Sequence, residues 1–122
     1  MKKFIILIPV YNDWKSLEKL MLEINEVIKN IGNAEFNFII INDSSTEPHQ
    51  TIKVPPNIFS IKVINMKKNK GHARCNAFGI RYLAELDNFD YTILMDGDGE
   101  DRPEELKPLV LQAIKDENIS IV

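Results

Sequence analysis

The segment FIILIPVYND, residues 4–13, joins an uninterrupted apolar run to a polar turn. Its first part, FIILI (4–8), consists of branched and aromatic residues without polar alternation, which is typical of a strand buried on both faces of a parallel sheet. The run FNFIII (36–41) indicates a second buried strand. Because a sheet that is covered on both faces needs helices on both sides, these two runs favour an α/β fold.

Helices and strands alternate along the rest of the chain. Apolar residues from Leu17 to Ile31 recur at spacings of three and four, which predicts an amphipathic helix between the two runs. Asn12 or Asp13 is the expected cap of this helix, and Gly32 marks its expected end. The other predicted elements are strands at 61–64 and 91–95, helices at 70–86 and 103–115, a loop or short helix at 43–56, and the start of a fifth strand at 119–122. This order predicts one domain built on a mostly parallel, doubly wound sheet.

The second predicted helix has an apolar face. Ala73, Ala77, Ile80 and Ala84 recur at helical spacing, and the apolar stripe of a helix usually packs in the core. We therefore expect this face to lie against the sheet. Cys75 lies in the same helix with no evident base beside it, which favours a packing thiol over a nucleophile.

The composition limits the class of protein. The chain has 122 residues, 44% of them hydrophobic, which suits one domain with a core that needs no disulfide. Its net charge of -3 argues against a nucleic-acid partner. A single cysteine suits a reducing, cytoplasmic setting, and no apolar run reaches the ~20 residues that a membrane helix needs. Because an apolar segment stops at Val122, we expect the chain to be part of a longer protein.

Four polar clusters follow the predicted strands. They are Pro9–Asp13, Asn42–Glu47, Lys67–Arg74 and Asp96–Asp101. Ligands of open α/β sheets bind beyond the carboxyl ends of the strands, and in a parallel sheet all four clusters would share that edge. Their convergence supports a binding site more strongly than any single cluster does.

The acidic cluster has the composition of a site for a hard divalent cation. In extended backbone, Asp96 and Asp98 would face the same side, where Mg²⁺ or Mn²⁺ takes oxygen ligands. Glu100 is a candidate further ligand, and Asp96 could instead hold a nucleotide hydroxyl. Asp101 stands three residues before Glu104, which is the spacing of a capping box. The alternative for the whole segment is a solvated acidic loop.

The other clusters contain groups that suit a nucleotide. Gly71, near a helix start, would present backbone N–H groups to an anion, and Lys70, His72 and Arg74 would add positive charge. The ring of Tyr11 could pack on a base, and the carboxylate of Asp43 could accept from a base N–H or a ribose hydroxyl. The alternatives are an exposed loop aromatic at Tyr11 and a turn former at Asp43.

These motifs, in this order, resemble the inverting family 2 glycosyltransferases, which have the GT-A fold. IPVYND (8–13) resembles the opening IPVYNE of that family, and INDSSTE (41–47) resembles its VDDGSTD segment. KNKGHARCNAFGI (68–80) is similar to the stretch N-x-G-x-x-x-A-x-x-x-G-I. YTILMDGDGEDRPEEL (91–106) resembles the strand that leads into the Asp-x-Asp motif, and is most similar to the polyprenyl-phosphate sugar transferases, such as dolichol-phosphate mannosyltransferase.

The resemblance implies a UDP- or GDP-sugar donor and a divalent metal, Mg²⁺ or Mn²⁺. The metal ligands would be Asp96, Asp98 and Glu100. Asn42 and Ser44 depart from the family pattern, which has Asp and Gly at these positions, so the detail of this loop is expected to differ. The residues that the resemblance places at the nucleotide sugar are Pro9, Tyr11, Asp13, Asp43, Lys70, Arg74 and Asp96.

The implied reaction is a direct displacement at the anomeric carbon of the sugar, with inversion. The acceptor would be a lipid phosphate such as polyprenyl phosphate, or a glycan, as in the synthesis of cell-envelope polysaccharide. A hydroxyl acceptor needs a general base, which we expect beyond residue 122, in the acceptor-binding half. A lipid acceptor would bring a cytoplasmic protein to the cytoplasmic face of the membrane.

Two other functions remain open at the level of sequence. A sugar nucleotidyltransferase also has an α/β architecture and binds phosphates through a metal, but it usually has a glycine-rich basic segment after its first strand, and IPVYND (8–13) has none. A non-catalytic nucleotide-binding or signalling module would also gather carboxylates at the ends of strands. Metal-dependent binding of a nucleotide sugar would distinguish the glycosyltransferase hypothesis from that of a non-catalytic module.

Overall fold

The computed structural model describes residues 1–47, 51–86, 88–96 and 103–115. Within these ranges the predicted alternation of strands and helices is confirmed. The strands are β1 (Lys2–Val10), β2 (Ala34–Asn42), β3 (Ser60–Asn65) and β4 (Tyr91–Leu94). The helices are α1 (Trp14–Ile28), α2 (His72–Leu86) and α3 (Leu106–Lys115), the last preceded by a 3₁₀ turn at Pro103–Glu105. The fifth strand predicted at 119–122 lies outside the described residues.

The four strands form one parallel sheet in the order β3-β2-β1-β4. β1 is central, with Val10 opposite Asn42 of β2 and Leu7 opposite Leu94 of β4. The chain moves outward from β1 through β2 to β3 and then returns to the other side of β1 for β4. In doubly wound sheets this reversal opens a crevice at the carboxyl ends of the two strands where it occurs, here β1 and β4.

Two hydrophobic clusters cover the two faces of the sheet. Phe4, Ile6 and Ile8 of β1 point to the face that α1 and α3 cover, whereas Ile5 and Leu7 point to the face that α2 covers. All five side chains are buried. Burial on both faces is the reason why this strand shows no polar alternation, and it confirms the doubly wound α/β fold.

Helix α1 begins where the sequence predicts and ends earlier. Asp13 is its N-cap residue, although no side-chain hydrogen bond closes the cap. The last helical residue is Ile28, four positions before the predicted end at Gly32. The left-handed turn into β2 is made by Asn33, whose φ is 61°, and not by the glycine. Asn33 can do this because asparagine tolerates this conformation better than other residues with a side chain.

The core-facing side of α2 differs from the prediction. Ala73, Ala77, Ile80 and Ala84 are exposed, and the sheet is covered instead by a side that includes Cys75, Gly79 and Leu83. A Cβ atom at Gly79 would lie 2.7 Å from the methyl carbons of Leu7. The glycine therefore allows α2 to approach β1 closely. The prediction of the buried face of α2 was wrong because a face that includes a glycine and a cysteine shows little hydrophobic periodicity.

Candidate functional site

The carboxyl ends of β1 and β2 meet the segment before α2 at Asp43. The backbone N–H of Asp43 donates to Val10 O at 2.8 Å, which continues the pairing of β1 with β2. The carboxylate of Asp43, which is buried, accepts from the backbone N–H groups of Lys70 (2.6 Å) and Gly71 (2.8 Å), one at each oxygen. Asn69 Nδ2 adds a longer bond of 3.4 Å to Asp43 O. The backbone N–H groups near Gly71, which we predicted to bind an anionic ligand, thus bind the carboxylate of Asp43.

Gly71 has the backbone conformation that this arrangement needs. Its φ is 84°, in the left-handed region that favours glycine. Its carbonyl accepts from the N–H of Cys75 at 3.1 Å, in the first turn of α2. The start of α2 and the Asp43 carboxylate are therefore built as one unit.

The side chain of Cys75 interacts with that of Asp43 in the interior. The thiol is buried, and it donates a hydrogen bond to the Asp43 carboxylate. Burial first, and then this carboxylate, raise the pKa of Cys75 to about 12. Because only the thiolate is an effective nucleophile, Cys75 acts as a packing and donor group, in line with the sequence-based interpretation.

The segment Asp43–Glu47, which we call the β2 loop, is bound to the end of β1 by Asn12. The backbone N–H of Asn12 donates to Ser45 Oγ (3.0 Å), and its Nδ2 donates to Thr46 Oγ1 (3.0 Å). Its Oδ1 accepts from the backbone N–H of Glu47 (2.9 Å). The sequence suggested Asn12 only as a possible helix cap. The N-cap is Asp13 instead, and Asn12, with a φ of 61°, binds this loop. The residue type was the only signal of this role in the sequence.

Two departures from the family pattern take part in this loop. Ser44 has a φ of 58°, a conformation that suits the glycine of the pattern. Asn42 Oδ1 accepts from the N–H of Ser45 at 3.0 Å, and its Nδ2 donates to Asn65 Oδ1 at 2.8 Å. Asn42 therefore ties the start of the β2 loop to the end of β3.

The acidic cluster meets the start of α2 through its first carboxylate. Asp96, which follows the end of β4, is exposed, and its Oδ1 lies 4.0 Å from His72 Nδ1. Asp98, Glu100 and the predicted helix cap Asp101 lie outside the described residues. In the part of the chain that the structure describes, no three acidic, histidine or cysteine side chains are grouped as a metal site.

The other candidate residues differ in exposure. Pro9 is buried within β1, opposite Ile41, so it packs inside the end of the strand and not on its exposed surface. Tyr11, Asp13 and the two cations Lys70 and Arg74 are exposed. Tyr11 is 37% exposed, so it is partly open to solvent just beyond the end of β1.

The chain is similar in sequence to known proteins. The model of the family "Glycosyl transferase family 2" matches residues 5–122. An uncharacterized protein of Methanocaldococcus jannaschii is 25% identical over 124 aligned positions, gaps included, and the match covers 97% of this chain and 49% of that protein. The chain thus spans about half the length of this curated relative. Among the described residues, no helix is both long and apolar enough to cross a membrane. The match over nearly the whole chain shows that it belongs to glycosyl transferase family 2.

Proposed function

We propose that this chain forms the donor-binding part of a glycosyltransferase that moves a sugar from a nucleoside diphosphate to an acceptor, with inversion. Family membership supports the reaction class. The observation that carries the proposal is the meeting of four chain segments at the β1 and β4 ends. Asp43 joins β2 to the loop before α2, and His72 approaches Asp96 beyond β4. This is the place where doubly wound sheets bind nucleotides.

In this proposal the nucleoside lies between Tyr11 and the β2 loop. The exposed part of the Tyr11 ring offers a surface on which a base can stack. A carboxylate has about four acceptor positions, and those of Asp43 already receive Lys70 N, Gly71 N and the Cys75 thiol. A base N–H would take the remaining position. Because these bonds fix the Asp43 carboxylate, the site would favour a base whose N–H donor faces the remaining acceptor position.

The diphosphate would lie toward the start of α2 and the end of β4. Lys70 and Arg74 are exposed there and would contribute positive charge. The exposed carboxylate of Asp96 has the oxygen donors that Mg²⁺ and Mn²⁺ prefer, and Asp98 and Glu100 would complete the ligands. A bound divalent cation would supply neutralising charge for the departing diphosphate. Without such an ion, the carboxylates would repel the donor.

The acceptor is proposed to be a lipid phosphate or a glycan. Its oxygen would form a bond to the anomeric carbon as the bond from that carbon to the diphosphate breaks, which inverts the configuration. A phosphate acceptor is already ionised and needs no proton removed, whereas a hydroxyl acceptor needs a general base. None of the described residues is assigned that role. A lipid acceptor would place the protein against the membrane surface.

Calorimetry with UDP, GDP and several nucleotide sugars, with and without Mn²⁺, tests the donor site. We expect binding of one nucleotide class that strengthens when Mn²⁺ is present. Absence of metal-dependent binding for every nucleotide would refute the proposal. Release of pyrophosphate from a sugar phosphate and a nucleoside triphosphate would indicate a nucleotidyltransferase instead. Binding that does not depend on the metal would favour a non-catalytic nucleotide-binding module.

A further inference from the structure

The β2 loop is connected to the segment after β1 mainly through one residue, by its backbone N–H and its side chain. Asn12 makes three hydrogen bonds to it, at Ser45, Thr46 and Glu47, across separations of 33 to 35 residues. Trp14 adds a fourth bond, from its Nε1 to Glu47 O at 3.0 Å. These contacts act on the exposed end of the loop, whereas the Asp43 carboxylate fixes its buried start.

The residue type at position 12 follows from the geometry of these bonds. A φ of 61° is costly for most residues with a side chain, and asparagine is among the few that adopt it readily. The short amide also donates to Thr46 and accepts from Glu47 at the same time. Aspartate lacks the donor, and glycine lacks both groups. Asparagine thus combines the backbone conformation with both side-chain bonds.

We infer that Asn12 is a positioning residue that holds the β2 loop in the conformation that binds the nucleoside. The inference rests on the proposed function, because it assigns Tyr11 and Asp43 to the nucleoside. Asn12 follows Tyr11 directly, so its left-handed backbone also sets the direction in which the chain leaves the stacking ring. One residue therefore fixes two walls of the proposed pocket relative to each other.

Replacement by glycine tests this role with a matched control. Asn12→Gly keeps access to the positive φ and removes both side-chain bonds. Asn33→Gly makes the same change at a residue with the same φ of 61°, at the opposite end of the sheet. We expect Asn12→Gly to weaken nucleotide binding at least tenfold in the presence of Mn²⁺, and to abolish the hydrogen-exchange protection of the Glu47 amide. Asn33→Gly should change neither.

A second pair of variants keeps the test decisive if Asn12→Gly does not fold. Asn12→Asp retains the acceptor for Glu47 N and loses the donor to Thr46, so it should restore protection at Glu47 and part of the affinity. Thr46→Val removes the acceptor of that same bond with little change of shape. We expect the two variants to weaken binding to a similar, smaller extent.

Three outcomes separate this inference from the proposed function. If the wild-type chain binds a nucleotide and Asn12→Gly binds it equally well, the inference is wrong and the donor site stands. Unchanged protection of the Glu47 amide in Asn12→Gly would also overturn it. If the wild-type chain binds no nucleotide, the proposed function fails together with the positioning role, and the exchange measurement still decides whether Asn12 holds the loop.

Discussion

Asp43 Oδ2 lies 2.8 Å from the backbone nitrogen of Gly71, and the other carboxylate oxygen accepts from Lys70 N. The carboxylate of Asp43, at the end of β2, thus accepts from the backbone N–H groups that precede α2. The sequence indicated an anion site at this glycine and did not reveal that a residue 28 positions earlier fills it. The bond links two of the predicted polar clusters, so its loss should affect both folding and binding.

Asp43→Asn should destabilise the fold. The asparagine amide group can accept through only one atom, so its NH₂ would face a backbone N–H and leave a buried donor without a partner. We expect a loss of about 1–3 kcal/mol in the free energy of unfolding, measured by urea denaturation. Asp90→Asn is the control, because Asp90 accepts one exposed bond, from Lys3 N at 2.7 Å, and an amide oxygen can replace it. Equal effects of the two substitutions would contradict the structural role of Asp43.

The Cys75 thiol should make the stability depend on pH in the alkaline range. Burial raises its pKa from 9.0 to about 12, so between these values the unfolded chain loses a proton that the folded chain keeps. The contribution is fully present below pH 9 and is lost as the pH rises toward 12. We expect the wild-type protein to lose about 1.4 kcal/mol more than Cys75→Ser between pH 8 and pH 10, by linkage.

The Cys75→Ser variant isolates this effect. The serine hydroxyl can still donate to Asp43, and every other ionisable side chain is common to the two proteins. Denaturant unfolding at several pH values gives the difference directly. A difference in unfolding free energy that stays constant from pH 8 to 10 would show that the thiol is not held in its neutral form.

Gly79→Ala should be destabilising although alanine favours helices. The added Cβ would lie 2.7 Å from two methyl carbons of Leu7, which is fully buried and has little room to move. Overpacking of a core costs ~1–3 kcal/mol, and the helical preference of alanine returns ~1 kcal/mol, so we expect a net loss. Gly32→Ala serves as the control in thermal unfolding, since its Cβ would meet nothing within 4 Å and its φ is not positive. It should leave the melting temperature unchanged or raise it slightly.

The fold and the site differ in how far the sequence determines them. Apolar runs such as 4–8 fix the strands, because a parallel sheet covered on both faces leaves little other use for them. The buried side of α2 was not predictable, since Gly79 acts there through the absence of a side chain. The contacts of Asn12 with the β2 loop depend on hydrogen bonds between residues more than 30 positions apart. Neither periodicity nor spacing carries that information.

The metal role of the acidic cluster can be tested at its described member. Asp96 is exposed, so Asp96→Asn should leave the free energy of unfolding nearly unchanged. With Mn²⁺ present, we expect it to weaken binding of UDP or GDP about tenfold or more, because one carboxylate ligand is lost. Without Mn²⁺, the variant should bind the nucleotide as tightly as the wild type or slightly more tightly, because one carboxylate that repels the diphosphate is gone. Asp98→Asn should behave in the same way.

The control for this prediction is Glu85→Gln, which removes one exposed negative charge from α2. It separates loss of a ligand from a general change in net charge, since a change in charge alone would affect both variants equally. Calorimetric titration of each variant with and without Mn²⁺ gives the comparison. If Asp96→Asn changes affinity equally in the presence and absence of the metal, Asp96 contacts the nucleotide directly, as a partner of a nucleotide hydroxyl, and is not a metal ligand.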